Sequence, residues 1–98
     1  VKLGYRLMIT ELDVNDWKIL GNVEERDVAV AHHAAEYLDI VFSVARPISI
    51  ATWGLSDRYT WMRQYYKRAD GLPLRPLPLD VNYRRKRMWS TLAAAMVA

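Results

Sequence analysis

The order of its apolar segments constrains the fold of this chain more than any other feature. Residues 5–11 and 48–53 are short runs of nearly all apolar or β-favouring residues, typical of parallel strands that are covered on both faces. Residues 23–45 and 86–97 instead carry apolar side chains at helical spacing. This strand–helix–strand–helix order, with a first helix long enough for a right-handed crossover, predicts a parallel α/β sheet.

Local signals support both helices. Asn22 lies three residues before Glu25, the spacing of a capping box, and Pro47 ends the first helix because the residue before a proline is pushed out of helical geometry. The first helix is predicted to bury a stripe made of Ala31, Ala34, Ala35, Leu38, Val41, Phe42 and Ala45. The second is predicted to turn inward Met88, Trp89, Leu92, Ala93 and Met96.

Two strands and two helices do not close a sheet by themselves, because both outer edges of the sheet would stay unpaired. The sequence also enters its first strand almost at once, with neither an initiator methionine nor a signal peptide. We therefore expect residues 1–98 to be the C-terminal part of a (β/α)8 TIM barrel, a fold that takes about 250 residues. Active sites of such barrels gather at the C-terminal ends of the strands.

Composition excludes several kinds of site. The chain has no cysteine, which rules out disulfides and thiolate-bound metals, and no apolar run reaches the ~18 residues that span a membrane. His32 and His33 are adjacent on a helix and face different directions, whereas metal-binding pairs prefer i, i+4 spacing. We expect no metal, no cofactor and no membrane partner.

The chain is basic, with a net charge of +3 and a pI near 9.4. The excess is concentrated in the run Arg-Arg-Lys-Arg at residues 84–87, just before the second helix. A basic run without interleaved aromatic residues is a weak signal for nucleic acid, so we expect a solvated loop and helix edge. A binder of nucleic acid or of another anionic surface, using residues 84–87, is the alternative.

Glu11, at the C-terminal end of the first strand, is the leading catalytic candidate. In a barrel its side chain would face the mouth, where a substrate can reach it; the alternative is that it only pairs with an arginine at the rim. Asp13 follows two residues later, on the same side of an extended backbone, where it could tune Glu11 or be an ordinary rim partner. Asp16 and Trp17 are weaker candidates in the same loop.

Trp53 and Trp61 follow the second strand, at the start of a long loop over residues 54–85. Loops of this length in compact domains are usually functional. An indole ring stacks on the apolar face of a sugar while its N–H bonds a hydroxyl, so both tryptophans are predicted to contact a sugar. The alternative is burial in the core, which we do expect for Trp89 on the second helix.

These segments resemble family 10 glycoside hydrolases, the retaining endo-1,4-β-xylanases. The motifs that carry the resemblance are ITELDVNDW at residues 9–17, TWGLSDRYTW at 52–61, RADGLP at 68–73 and RPLPLD at 75–80. The resemblance implies that Glu11 is the catalytic nucleophile on the seventh barrel strand, and that Asp13 shares a hydrogen-bond network with it and with a histidine of an earlier strand. It implies that Trp53 and Trp61 wall the subsites beside the cleavage point. The chain would then be the β7-α7-β8-α8 portion of the catalytic barrel.

The same resemblance implies a xylan or xylo-oligosaccharide substrate, no cofactor, and a secreted or periplasmic location. The acid/base glutamate of the family lies on the fourth strand, outside this chain, and retaining glycosidases need two carboxyl groups about 5–5.5 Å apart. We therefore expect the chain alone to be inactive and to require the remaining barrel strands, from the same or another chain. The alternative is a non-catalytic carbohydrate-binding remnant that uses Trp53 and Trp61.

Overall fold

A computed structural model describes residues 3–97, so residues 1, 2 and 98 of the predicted barrel portion lie outside the described part. The elements follow the predicted order: strand β1, helix α1, strand β2 and helix α2, at Met8–Leu12, Val23–Val44, Ser49–Thr52 and Arg87–Val97. The long loop before α2 contains two short 3-10 turns, Asp57–Tyr59 and Trp61–Gln64. Within residues 3–97, neither α-helix combines the length and the apolar character that crossing a membrane requires.

The ends of the elements differ from prediction by a few residues. β1 begins at Met8 instead of residue 5, because its pairing with β2 starts at Met8 and Tyr5 is 73% exposed. α1 ends one residue early, since Ala45 already has an extended backbone ahead of the proline. α2 begins one residue late, after Lys86, whose backbone N–H bonds the carbonyl of Pro78 in the long loop.

β1 and β2 form a two-stranded parallel sheet, and β2 is one residue shorter at each end than predicted. Ile9 lies opposite Ile50 and Leu12 opposite Thr52, so three steps along β1 match two steps along β2. This bulge breaks the alternation of β1: Ile9 and Leu12 are buried, whereas both residues between them are exposed. The second exposed residue is Glu11. Bulges often re-aim a side chain beside an active site.

Both helices pack on one face of the sheet and against each other. The apolar core between them consists of Ile9, Leu12, Val30, Ala34, Leu38, Met88 and Leu92. The predicted stripe of α1 is thus confirmed at its centre, and its remaining members are partly buried. On α2 the prediction is wrong for Met96, which is 50% exposed near the end of the helix.

The sheet is open elsewhere. Among residues 3–97, neither strand has a second neighbour. Apolar side chains stay exposed beside the sheet, at Met8 and Ile48, and on the outer surface of α1, at Ile40 and Val44. This arrangement is the incomplete α/β sheet that the short strand count predicts.

The long loop is held by buried or partly buried ion pairs, which we call the ionic cluster. Its pairs are Asp16–Arg26, Asp27–Arg75, Asp57–Lys86 and Asp70–Arg68. Arg26 and Asp27 belong to α1, so the cluster ties the loop to the first helix.

Lys86 corrects one prediction, because it is buried and not part of a solvated basic edge. Its Nζ donates to the Asp57 carboxylate and to the carbonyls of Arg75 and Leu77, each at 2.8 Å. The three donors of the ammonium group are therefore satisfied. The arginines on either side of Lys86 are exposed, as expected.

Candidate active site

The C-terminal ends of the two strands bring Glu11 and Trp53 to one edge of the molecule. Glu11 is the penultimate residue of β1, inside the bulge, and Trp53 directly follows β2. The backbone N–H of Trp53 donates to the carbonyl of Leu12 at 2.9 Å, which fixes the two strand ends against each other. Gly54 then turns the chain with a φ of +104°, a conformation that favours glycine.

A side-chain hydrogen bond joins the end of β1 to the long loop. The indole Nε1 of Trp61 donates to Oδ2 of Asp13 at 2.9 Å. Burial raises the pKa of Asp13, the hydrogen bond from Trp61 opposes that shift, and the negative charge of Glu11 adds to it. The two carboxylates therefore lie within electrostatic reach of each other. The contact between Asp13 and Trp61 carries no signal in the sequence, where 48 residues separate them.

Glu11 and Asp13 border an open groove of about 650 Å³ along the free edge of β1. His33 and Tyr37 of α1 form part of its far wall. Within residues 3–97 no arginine pairs with Glu11, so the simple rim ion pair is not formed there. His32 pairs with Glu36 on the helix surface. In the part of the chain that the structure describes, no three His, Asp or Glu side chains converge on a possible metal position.

Trp53 and Trp61 lie partly in solvent, with 49% and 41% of their surface exposed. Trp61 packs against Tyr65 and Tyr66, with ring centroids 5.7 and 6.1 Å away. Neither tyrosine was predicted as a site residue, although their spacing from Trp61 in a short helical turn is a usable signal. Trp89 differs, because it is partly buried on α2 with the Arg85 guanidinium 3.9 Å from its ring.

Asp16 is a structural residue and not a chemical one, which corrects its place among the weaker candidates. Its fully buried carboxylate accepts the Arg26 guanidinium at 2.7 Å and the backbone N–H of Arg75 at 2.9 Å. The adjacent Trp17 remains partly exposed. The sequence gives no signal for this burial, because Arg75 lies 59 residues from Asp16.

Sequence comparison decides the family. The sequence model of glycosyl hydrolase family 10 matches residues 1–95. The chain belongs to glycosyl hydrolase family 10. The resemblance inferred from the motifs is thereby confirmed. No curated protein sequence matches the chain.

Solved structures of family 10 enzymes share the fold. Xylanase 10B from Thermotoga petrophila RKU-1, in complex with xylobiose, is 26% identical with a TM-score of 0.76, covering 98% of this chain and 28% of that one. Xylanase 10B from Thermotoga maritima is 27% identical with the same TM-score and the same coverage. A mutant of xylanase 10C from Cellvibrio japonicus, in complex with xylopentaose, is 25% identical with a TM-score of 0.77, covering 98% of this chain and 22% of that one.

This family 10 chain therefore spans 28% of the length of the two Thermotoga enzymes. Its parallel strands and the two helices on one face match part of a family 10 TIM barrel. The predicted α/β class and the predicted incompleteness are both confirmed at that level.

Proposed function

We propose that residues 1–98 form the β7-α7-β8-α8 portion of the catalytic barrel of a retaining endo-1,4-β-xylanase. One observation carries the proposal: Glu11 lies exposed in a bulge at the end of β1, beside Trp53 and beside the Asp13–Trp61 hydrogen bond. The substrate is xylan or a xylo-oligosaccharide, whose internal β-1,4-xylosidic bonds are cleaved without a cofactor. Family resemblance favours a secreted or periplasmic location.

Glu11 acts as the nucleophile. Its ionised carboxylate attacks the anomeric carbon and forms a covalent glycosyl-enzyme while the bond to the leaving sugar oxygen breaks. A glutamate of the fourth barrel strand, outside this chain, donates a proton to the leaving oxygen and later accepts one from the attacking water. The bulge supports this role, because it turns Glu11 to the open side while Ile9 and Leu12 keep β1 seated on the helices.

Asp13 positions the sugar wall relative to the nucleophile. It is two residues from Glu11 along β1 and it accepts the indole N–H of Trp61. A substrate ring held on Trp61 is thereby referred to the same strand that carries Glu11. Since a small misplacement of reacting groups costs much of the rate, a fixed link between the two is catalytically useful. By family resemblance a histidine of an earlier strand joins the same network.

Trp53 and Trp61 hold the sugar rings beside Glu11. Both rings have open surface, and each reaches the mouth from a different support: the end of β2 for Trp53 and the long loop for Trp61. A pyranose ring presents apolar C–H groups to an indole face and hydroxyl groups at its edge. The wall therefore binds sugar rings by their faces and leaves the glycosidic bond to Glu11.

The chain alone is proposed to be inactive, because it supplies one carboxylate of the required pair. The groove along β1, with its unpaired backbone edge, fits a neighbouring strand of the barrel. The exposed Met8, Ile48, Ile40 and Val44 are surfaces that further β/α units would cover. We propose that six more units, in the same or another chain, complete the eight-stranded barrel and stabilise the fold.

The test joins residues 1–98 to the first six β/α units of the Thermotoga maritima xylanase 10B, in place of its own matching segment. We call this protein the hybrid barrel. The hybrid barrel is expected to hydrolyse xylan and the 98-residue chain alone to release no sugar. Glu11→Gln preserves the side-chain size but removes the nucleophilic charge, and it should lower kcat by about a thousandfold or more.

Two results would contradict the proposal. A folded hybrid barrel that keeps its rate after Glu11→Gln would exclude Glu11 as the nucleophile. Xylan hydrolysis by the purified 98-residue chain, lost in the same variant, would show that no further strands are needed. Circular dichroism of each variant checks that loss of activity does not come from loss of fold.

A non-catalytic carbohydrate-binding remnant is the second candidate, and the exposure of Trp53 and Trp61 in the chain favours it. Retention of the 98-residue chain in a xylan gel, lost after Trp53→Ala, together with an inactive hybrid barrel, would select it. The nucleic-acid alternative has less support, because Lys86 is buried and Arg87 pairs with Glu24 on α1. A steep salt dependence of binding to DNA would be needed to revive it.

A further inference from the structure

Trp17 is the one exposed tryptophan of the mouth that the proposed mechanism does not use. It lies in the loop between β1 and α1, four residues after Asp13. Its ring centroid is 5.3 Å from that of Tyr66, at an interplanar angle of 62°. Tyr66 in turn meets Trp61, at 6.1 Å and 79°. Trp17, Tyr66 and Trp61 therefore form an unbroken aromatic row, which begins at the sugar wall and leads away from Glu11.

The support beneath Trp17 is unusually firm for a surface loop. The preceding residue, Asp16, is completely buried, and its carboxylate and carbonyl together receive hydrogen bonds from Arg26, Arg68 and the backbone of Arg75. The backbone N–H of Trp17 itself donates to Asn15 Oδ1 at 3.1 Å. A ring held in this way loses little conformational freedom when a ligand binds, which favours affinity.

We propose that Trp17, with Tyr66 behind it, forms an additional sugar subsite for a β-1,4-linked pyranose chain, continuous with Trp61. The inference rests on the proposed function, since the sugar that stacks on Trp61 is the start of the chain that reaches Trp17. A row of rings at stacking distance fits successive sugar units better than it fits a compact ligand. Trp17 is 37% exposed, close to the 41% of Trp61.

Lys18 supplies polar chemistry to the same subsite. Its ammonium Nζ lies 4.7 Å from the centroid of the Trp17 ring, on a flexible exposed side chain. An ammonium group carries three donors and can bond the hydroxyls of a sugar lying on the indole. The pairing of an aromatic face with nearby donors is the usual arrangement of a site that binds an amphipathic ring.

The experiment compares xylobiose with xylohexaose, because only the longer chain extends from Trp61 to Trp17. Both sugars are titrated by calorimetry into the hybrid barrel that carries Glu11→Gln, so that neither is cleaved. Trp17→Ala is expected to weaken xylohexaose about fivefold and to leave xylobiose unchanged, since one aromatic stack is lost. Trp17→Tyr should restore most of the xylohexaose affinity, and Trp61→Ala should weaken both sugars.

A second measurement uses the full 98-residue chain alone. Xylohexaose should shift the NMR resonance of the Trp17 indole N–H, and xylobiose should not. Equal effects of Trp17→Ala on the two sugars, or no effect on either, would overturn the subsite while a hydrolytically active hybrid barrel leaves the proposed function standing. A hybrid barrel with native Glu11 that neither binds nor cleaves xylohexaose would overturn both.

Discussion

The apolar core and the ionic cluster support the two halves of the candidate site by different physics. Glu11 lies on β1, whose buried residues Ile9 and Leu12 are part of the apolar core. Trp61 lies on the long loop, which the ionic cluster fastens through Asp57 and Lys86. The carboxylate is thus placed by apolar burial, and the sugar wall is placed by charged hydrogen bonds.

The difference shows what each support supplies. Burial of apolar surface is favourable and non-directional, so it seats β1 on the helices without fixing individual angles. Burial raises the pKa of Asp57 and lowers the pKa of Lys86, against the attraction of each for the other. The pair therefore contributes little net stability, but its directional hydrogen bonds select one loop conformation. The loop that carries Trp61 gains orientation more than it gains stability.

The largest expected effect comes from breaking the ionic cluster on one side. Lys86→Met leaves the Asp57 carboxylate buried without its cation, and we expect a loss of about 4 kcal/mol in the free energy of unfolding. Urea denaturation of the hybrid barrel measures it. Because the loop loses its fastening, KM for xylan should also rise.

The matched control removes both charges. In Asp57→Asn/Lys86→Met the asparagine oxygen can still accept the backbone N–H of Leu77, which bonds Asp57 at 2.9 Å in the native chain. The double variant should be more stable than Lys86→Met alone. A double variant at least as unstable as the single one would show that the ion pair itself is a strong source of stability.

A smaller loss is expected from the apolar core. Leu38 on α1 is 3% exposed, and Leu38→Ala should lower the free energy of unfolding by about 3 kcal/mol through a cavity. KM should stay close to that of the unsubstituted hybrid barrel, since the loop with Trp61 keeps its ion pairs. A rise in KM as large as that of Lys86→Met would remove the distinction between the two supports. Ile40→Ala, on the exposed surface of the same helix, is the control.

The sequence predicted the part of the molecule that rests on apolar periodicity. The helix stripe around Leu38, the capping box at Asn22 and the parallel pairing follow from local patterns with periods of 3.6 and 2. Glu11 and the tryptophans were found because motifs at strand ends point to chemistry. The bulge was not predicted, since one added residue in β1 becomes visible only against the register of β2.

The ionic cluster was beyond the reach of sequence patterns. Its pairs join residues as far apart as Asp27 and Arg75, and a charged residue in a loop is usually solvated. Lys86 illustrates the point: inside a run of four basic residues it looks like the rest, yet only its neighbours are exposed. Which member of such a run turns inward depends on where the loop brings Asp57.

The smallest expected effect concerns the exposed end of the ionic cluster. The guanidinium of Arg68, together with the backbone N–H of Leu72, lowers the pKa of Asp70 to about 2. A carboxyl group with a lowered native pKa contributes stability above its ordinary pKa of about 3.9, and the contribution is lost as pH falls through the native value. The clamp between Arg68 and Asp70 should therefore loosen between about pH 4 and pH 2. Hydrogen exchange at the Leu72 amide, which bonds Asp70 at 2.9 Å, should lose protection over that range. Asp70→Asn cannot titrate and should show no such step, so an identical fall in that variant would place the acid sensitivity in the buried pairs instead.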